Sequence, residues 1–369
     1  MTAIDRLLQH PRFGPPGVNE RMAQLCQGLN MVPSIKVVGS NGKGTTAHLM
    51  ARMAQGLGKS VGLYTSPHLL HVNERIQING RMITDEDLDA CLTQALNRAA
   101  PLPQSGRFEI LTLAALIFFA EQNVDLAIME IGLGGRFDPV RIAPGTISVL
   151  TSIDLEHTAI LGKTLHAIAS EKAAVCKAGD TLLSAVGGLE DCIPDDVTYI
   201  DLSCPPLDPL QSNARLAAHA LKQHFALDTL PETYGVQVPG RLQKLSAHPP
   251  IYVDVAHNAQ SVATAVSAFP ERPLSLICAF KNDKDLAAIK GTFHHVIALQ
   301  FDADMHTPDH ILTHLNATYK DTAHDIDSAL TFAKDKRPED GVILCLGGFG
   351  MAGRVLAYMQ GAHYDVIGL

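Results

Sequence analysis

The sequence predicts an α/β fold in which parallel strands alternate with crossover helices, divided between a larger N-terminal and a smaller C-terminal domain. Three observations predict it: a length of 369 residues, a hydrophobic share of 46%, and short apolar runs that alternate with helical patterns. A chain of this length is expected to form two hydrophobic cores. Strand-like runs that alternate with helices are typical of parallel sheets.

The N-terminal part carries this alternation first. Apolar runs rich in β-branched residues predict strands at 35–39, 60–64, 125–131 and 146–152. Helical patterns between them predict helices at 45–57, 85–99, 108–121 and 163–177. One parallel sheet with covering helices is therefore expected here.

The C-terminal part repeats the alternation after a polar, proline-bearing stretch around 229–240. Apolar runs predict strands at 251–256, 274–280, 295–301 and 341–347. No internal repeat or heptad array is visible, which gives no support to a solenoid or a coiled coil. We place the domain boundary near residue 238, with domains at 1–238 and 239–369.

Composition excludes several classes of protein. The net charge is −9 and no basic run is present, which argues against nucleic acid as the main partner. The seven cysteines form no CxxC pair, which suits neither a disulfide framework nor a zinc knuckle. The longest apolar stretch, 111–120, is about half of a membrane span, and the N-terminus lacks a signal-peptide core. We expect a soluble protein of the reducing cytoplasm, without a membrane partner.

Residues 39–46, GSNGKGTT, have the context of a phosphate-binding loop, because they follow a predicted strand and precede a helix. Glycines let backbone N–H groups surround phosphate oxygens, Lys43 adds a positive charge, and a threonine hydroxyl can reach Mg²⁺. The spacing departs from GxxxxGK[ST], since only two residues precede the second glycine and Gly44 precedes Thr45. From this segment alone, a glycine-rich turn with an incidental lysine stays open as the alternative.

Polar residues follow three other predicted strands. Ser66 follows the strand 60–64, Glu130 ends the strand 125–131, and His157 follows the strand 146–152. Because ligands bind at the carboxyl edge of parallel sheets, all three are expected near the phosphate loop. A hydroxyl, a carboxylate and an imidazole can complete the coordination of Mg²⁺, although imidazole is a less usual ligand. Each residue taken alone could instead be a loop or capping residue.

Lys172 lies on an apolar stripe. It recurs at helical spacing with Leu165, Ile168 and Val175, which places it on the inward face. A buried lysine must be paired, neutralised or modified, and each of these suggests a site. A lysine whose head reaches solvent along an apolar stem is the equal alternative.

Together the motifs resemble the folylpolyglutamate synthase and dihydrofolate synthase family, which belongs to the Mur-type peptide ligases. The resemblance runs along most of the chain and is carried by these segments: VVGSNGKGTT (37–46), YTSPHLLHVNERIQINGRMITDEDL (64–88), FEILTLAALIFFA (108–120), MEIGLGGRFD (129–138), TSIDLEHTAILGKTLHAIASEKAAVCKAG (151–179), PGRLQ (239–243), DVAHNAQS (254–261) and LGGFGMAG (346–353). It implies a P-loop ATP- and acid-binding domain at 1–238, similar to the central domain of Mur ligases, and a Rossmann-like ligase domain at 239–369.

The resemblance also implies roles for individual residues. Catalysis would depend on Lys43, His157, Lys172 and Arg241. ATP would be bound by Ser40, Asn41, Gly42, Lys43, Gly44, Thr45, Thr46, Asn213, Arg241, Asp254 and His257. Magnesium would be served by Thr45, Ser66, Glu130 and His157. Lys172 matches the family lysine that can be carbamoylated.

The implied activity is an ATP-dependent ligation of L-glutamate to dihydropteroate or tetrahydrofolate in folate metabolism, by a monomer that uses Mg²⁺. The chain departs from the family where GLGGR continues as Phe137-Asp138-Pro139-Val140-Arg141, where residues 15–22 read PPGVNERM, and in being shorter, with gaps before Phe108 and around 180–210. The resemblance implies that these regions help to hold the acid. A ligase for a non-folate acid and a non-catalytic nucleotide-binding protein therefore stay as alternatives.

Overall fold

The computed structural model describes residues 1–205, 207–233, 235–362 and 364. The chain divides into two compact units, Met1–Val236 and a second unit that begins at Gln237. Each unit is built around its own sheet, of eight strands in the first and six in the second. The predicted α/β class is confirmed.

The described residues of the first unit form eight strands and eight helices, apart from short 3₁₀ turns. In chain order they are α1 (Ala3–Leu8), α2 (Val18–Leu25), β1 (Ser34–Val38), α3 (Lys43–Gly56), β2 (Val61–Tyr64), β3 (Ile76–Ile78), β4 (Arg81–Met82), α4 (Asp85–Ala99), α5 (Arg107–Glu121), β5 (Leu126–Glu130), β6 (Ile147–Leu150), α6 (Thr158–Leu161), α7 (Leu165–Ala173), β7 (Thr181–Ser184), β8 (Thr198–Asp201) and α8 (Pro209–His224).

The strand order of this sheet places the phosphate loop at its centre. The order is β4-β3-β2-β5-β1-β6-β7-β8, and all neighbours from β2 to β8 are parallel. Because β1 lies between β5 and β6, the loops after these three strands meet at one edge, where ligands bind in such sheets. The antiparallel edge strands β3 and β4 were not predicted, since segments of three and two residues show no apolar period.

Two apolar layers cover the two faces of this sheet. On one face α3 and α8 pack over β1, β5 and β6. On the other, α5 is buried almost along its full length, which explains why residues 111–120 read as one apolar stretch. Among the described residues, no helix is both long enough and apolar enough to cross a membrane.

The second unit has six strands and four helices among its described residues. They are β9 (Gln243–Ala247), β10 (Pro250–Asp254), α9 (Ala259–Ser267), β11 (Leu274–Cys278), β12 (Thr292–Ala298), α10 (Pro308–His314), β13 (Asn316–Thr322), α11 (Ile326–Asp335), β14 (Val342–Leu346) and α12 (Phe349–Gln360). The order is β13-β12-β11-β14-β10-β9, parallel except for β9. The edge strands β9 and β13 were not predicted, because their partly exposed residues lack an apolar run.

Candidate active site

The phosphate loop turns through two glycines that no other residue could replace without strain. Gly39 has φ +151° and a Cβ there would collide with Thr151 Oγ1. Gly42 has φ +86°, and a Cβ there would lie 2.8 Å from Asn213 Oδ1. The loop therefore needs glycine both for its left-handed backbone and for the close approach of its neighbours.

The loop after β6 braces the phosphate loop. Asn41 N donates to Ser152 Oγ at 2.8 Å, and Thr151 Oγ1 donates to Asn41 O at 2.6 Å. Ser40 Oγ accepts from Asp154 N at 3.0 Å. The predicted strand 146–152 ends at Leu150 in the structure, because the residues that follow bind the loop next to them.

The polar groups of the loop fit a nucleotide with its metal ion. Lys43 Nζ donates to Gly39 O at 2.9 Å and to Ser40 O at 3.2 Å, so the ammonium lies over the loop. The N-terminus of α3 begins at Lys43 and presents its positive end there. Thr46 Oγ1 is buried and has no hydrogen-bond partner among the described residues. A ligand oxygen would satisfy this hydroxyl.

Ser66 and Glu130 come together beside this loop. Ser66 N donates to Glu130 Oε2 at 3.0 Å, and the Glu130 carboxylate lies 3.6 Å from the position that a Cβ on Gly44 would take. Glu130 is 4% exposed. A carboxylate and a hydroxyl are the oxygen ligands that Mg²⁺ prefers, so this donor set fits the ion.

His157 is exposed and directly precedes α6, with a left-handed backbone at φ +46°. The described part of the chain has no group of three His, Cys, Asp or Glu side chains arranged to hold a metal. The described side chains alone would therefore leave a magnesium ion incompletely coordinated, and a bound nucleotide would contribute phosphate oxygens.

Lys172 is buried at the phosphate loop, so its head does not reach solvent. Its Nζ donates to Gly39 O at 2.9 Å and to Glu156 Oε1 at 2.9 Å, and the residue is 1% exposed. Burial, followed by the nearby Lys43, lowers the pKa of Lys172 to about 8. Leu165, predicted on the same inward stripe, is 51% exposed because it is the first residue of α7, after the capping Thr164.

Asp138 organises the glycine-rich turn after β5. Its carboxylate accepts backbone N–H groups of Gly132, Leu133 and Val140 at 2.9 to 3.0 Å. Burial raises its pKa to about 6, against the effect of these hydrogen bonds. The divergent residues after GLGGR therefore retain a carboxylate that shapes this turn.

The divergent N-terminal segment is held by a buried ion pair. Arg21 donates from Nε and Nη2 to both oxygens of Glu109, each at 2.9 Å, and also to the carbonyls of Pro15 and Pro16. Glu109 in turn accepts from Gly106 N at the start of α5. Residues 15–22 are thereby fastened to the helix whose first turn faces the turn after β5.

Asn213 lies beside the phosphate loop. It is 7% exposed on α8, with its side-chain amide against Gly42. This residue, expected to contact adenine, is thus placed with the loop residues Ser40 to Thr46.

In the second unit, Asp254 fixes the backbone around the other expected nucleotide-binding residues. Its carboxylate accepts from Leu242 N at 2.8 Å and from Ala256 N at 2.7 Å. Leu242 follows Arg241, whose guanidinium lies 5.9 Å from the ring of Phe349. His257 follows Ala256, and its Nδ1 is 2.9 Å from Val255 O. Asp254 therefore orients the segments that carry Arg241 and His257.

Thr45 stays a predicted magnesium residue, and the buried hydroxyl without a partner among the described residues belongs to its neighbour Thr46, which was predicted to bind ATP. Sequence reasoning missed Glu156, which pairs with Lys172. The only signal for Glu156 was its place next to His157 after a predicted strand.

The comparisons with known proteins agree with one another. A dihydrofolate synthase/folylpolyglutamate synthase from Buchnera aphidicola is 32% identical, over 73% of this chain and 74% of that protein. The protein of the same name from Bacillus subtilis is 28% identical, over 91% of this chain and 93% of its own length. The chain spans only 43% of a probable bifunctional folylpolyglutamate synthase/dihydropteroate synthase from Halobacterium salinarum, at 31% identity over 84% of this chain. No family model matches the chain.

Solved structures show the same fold. A bifunctional folylpolyglutamate synthase/dihydrofolate synthase from Yersinia pestis, complexed with AMPPNP and a manganese ion, has a TM-score of 0.83 at 24% identity, over 98% of both chains. The Escherichia coli FolC protein, in complex with DHPP and ADP, has a TM-score of 0.81 at 23% identity, again over 98% of both chains.

Proposed function

The chain belongs to the dihydrofolate synthase/folylpolyglutamate synthase family, and we propose that it is an ATP-dependent ligase that joins L-glutamate to the carboxylate of a folate-type acid. The observation that carries this proposal is the cluster at the carboxyl edge of the first sheet. There the phosphate loop, the Ser66–Glu130 pair and the buried Lys172 lie together. Neither alternative, a non-folate acid or a non-catalytic nucleotide-binding protein, is favoured by an observation of its own.

The phosphate loop would bind and orient the triphosphate of ATP. Its backbone N–H groups, the N-terminus of α3 and the Lys43 ammonium supply positive potential for the phosphates. Mg²⁺ held by Ser66 and Glu130, with His157 and a loop threonine, would supply charge neutralisation. In the second unit, Arg241 and His257 are proposed to contact the nucleotide.

The reaction would run in two steps. A carboxylate oxygen of the acid attacks the γ-phosphorus, the bond to ADP breaks, and an acyl phosphate forms. The amine of L-glutamate then attacks the acyl carbon, phosphate leaves, and an amide remains. Because both acids are anionic, the chain contributes mainly positioning and charge neutralisation.

The test is to combine the purified protein with Mg-ATP and L-glutamate, and to add dihydropteroate, tetrahydrofolate or other aromatic acids in turn. We expect phosphate release together with a product that is heavier by one glutamate on dihydropteroate or tetrahydrofolate. Turnover with other acids alone would refute the folate assignment. Nucleotide binding without amino-acid-dependent ADP release would refute the ligase.

We also propose that the enzyme works as a monomer in the cytoplasm, on small molecules rather than on nucleic acid or membranes. All seven cysteines are free, which suits a reducing compartment, and the net charge of −9 disfavours nucleic acid. Light scattering after size-exclusion chromatography should give the mass of one chain.

A further inference from the structure

Glu156 is a carboxylate that the proposed reaction does not use. It directly precedes His157, in the loop that follows β6. Its Oε1 accepts a hydrogen bond from Lys172 Nζ at 2.9 Å, and its side chain is 18% exposed. The carboxylate is therefore held in one place by a buried partner.

Lys172 extends this contact to the phosphate loop. The same Nζ donates to Gly39 O at 2.9 Å. Gly39 directly follows β1, and the loop of Glu156 follows β6, the strand paired with β1. The buried Lys172 ammonium thus connects the phosphate loop, at Gly39, with the loop after β6, at Glu156, the residue before His157.

Ser40, which also interacts with the Glu156 carboxylate, makes other bonds between these loops closer to the strand ends. Ser40 N donates to Ser152 O at 2.9 Å, and Asp154 N donates to Ser40 Oγ at 3.0 Å. These bonds attach residues 152–154 to the phosphate loop. The Glu156–Lys172 pair attaches the same loop again, two residues further along the chain. The carbonyl of His157 accepts from Ile160 and Leu161 at 2.8 and 2.9 Å, so its backbone moves with α6.

We infer that Glu156 is a positioning residue: through Lys172 it sets the distance between the phosphate loop and the His157 side chain. This inference rests on the proposed function, in which His157 serves Mg²⁺. A carboxylate that only neutralises the buried Lys172 would stabilise the fold without affecting metal binding. A positioning carboxylate must change metal binding, and must do so through His157.

Three variants separate these roles. Glu156→Gln removes the charge, and Glu156→Asp keeps it on a side chain that is one methylene shorter. Glu171→Gln is the matched control, because Glu171 lies on the same helix as Lys172 but binds the exposed Arg136 instead of the phosphate loop. The readouts are Mn²⁺ affinity of the ADP complex by electron paramagnetic resonance, the Mg²⁺ dependence of turnover, and the unfolding temperature.

We expect Glu156→Gln to weaken Mn²⁺ binding by about 10-fold or more, as for other residues that orient a metal ligand. Glu156→Asp, which shortens the link to Lys172, should also weaken Mn²⁺ binding, whereas Glu171→Gln should stay within about twofold of the parent. A lower unfolding temperature for Glu156→Gln with unchanged Mn²⁺ affinity would overturn the inference. If Glu156→Gln does not fold, Glu156→Asp carries the same comparison.

A double-mutant cycle with His157→Ala tests the route of the effect. If Glu156 acts through His157, Glu156→Gln should change Mn²⁺ affinity by less than about twofold in the His157→Ala background. An equal loss in both backgrounds, or parental affinity in His157→Ala alone, would contradict the inference. Mn²⁺ binding to the ADP complex needs neither acid nor glutamate, so a failure of the proposed ligation would be recognised separately.

Discussion

Two lysines of the first unit, Lys36 and Lys172, are buried. They differ in the groups that their ammonium ions contact. Lys36, in β1, donates to Gly145 O at 2.8 Å and lies 4.0 Å from Asp180. Lys172 donates to Gly39 O at the phosphate loop. Burial lowers the pKa of both side chains. Burial alone therefore does not distinguish the two lysines, whereas contact with the phosphate loop sets Lys172 apart.

His295 predicts a pH dependence of stability in the second unit. It is fully buried in β12, its Nε2 is 2.7 Å from Asp321 Oδ2, and its Nδ1 has no partner among the described residues. Burial lowers the pKa of His295, because a proton on Nδ1 would be buried without an acceptor. Above its ordinary pKa of about 6.5 the histidine is neutral in both states. Below it the unfolded state takes up the proton more readily than the folded state, so stability should fall as the pH falls.

Urea denaturation at pH 7.5 and at pH 5.5 should measure this loss as the difference between the two unfolding free energies. His295→Leu should reduce that difference, since Asp321 keeps its second partner Lys336. His324→Leu removes an exposed histidine and serves as the control. Equal pH dependence in the parent and in His295→Leu would contradict the prediction.

At the scale of elements, the geometry of the phosphate loop predicts the effect of replacing Gly42. Gly42→Ala must place a methyl group 2.8 Å from Asn213 Oδ1, on a left-handed backbone. We expect this substitution to displace the loop or α8 and so to disturb the hydrogen bonds that the loop makes to phosphate. ADP binding should weaken by about 10-fold or more. Isothermal titration with Mg-ADP measures the loss.

Gly58→Ala is the matched control, because Gly58 follows the same helix with φ +76° but has open space around its Cα. It should cost about 1 kcal/mol of stability from the left-handed backbone and leave ADP affinity unchanged. Similar ADP affinities in both variants would show that the close approach of Asn213 does not matter for binding.

Local signals define the long elements well and the short ones poorly. The predicted helix 85–99 coincides with α4, whose first residue follows the capping Thr84. The predicted helix 163–177 is shorter in the structure, as α7 ends at Ala173. The strands β7 and β8 were missed, and β8 shows no apolar signal because all of its residues are exposed or half-buried.

At the scale of the molecule, each unit has its own buried core, which predicts that nucleotide protects them unequally. Cys26, Cys91 and Cys176 are buried in the first unit, and Cys278 and Cys345 in the second. Arg241 and His257 of the second unit are also proposed to contact the nucleotide, but the phosphate loop belongs to the first unit. Mg-ADP at 100 times its Kd should therefore add about 2.7 kcal/mol mainly to the unfolding free energy of the first unit.

Pulsed thiol labelling in urea, read by mass spectrometry of peptides, reports both units in one experiment. We expect ADP to slow labelling of the three thiols in the first unit much more than that of the two in the second. Cys204 is exposed and should react at once under all conditions. Equal protection of both sets would contradict the prediction.

The sequence by itself determined the α/β class, the phosphate loop and the family resemblance, because apolar periodicity and motifs are contained within short segments of the chain. Only the tertiary structure decided what the charged side chains contact. Lys172 and Gly39 are 133 residues apart in the chain, and Arg21 and Glu109 are 88 apart. The first pair forms because neighbouring strands bring distant segments to one sheet edge, and the second because α2 packs against α5. No pattern within either segment identifies the partner.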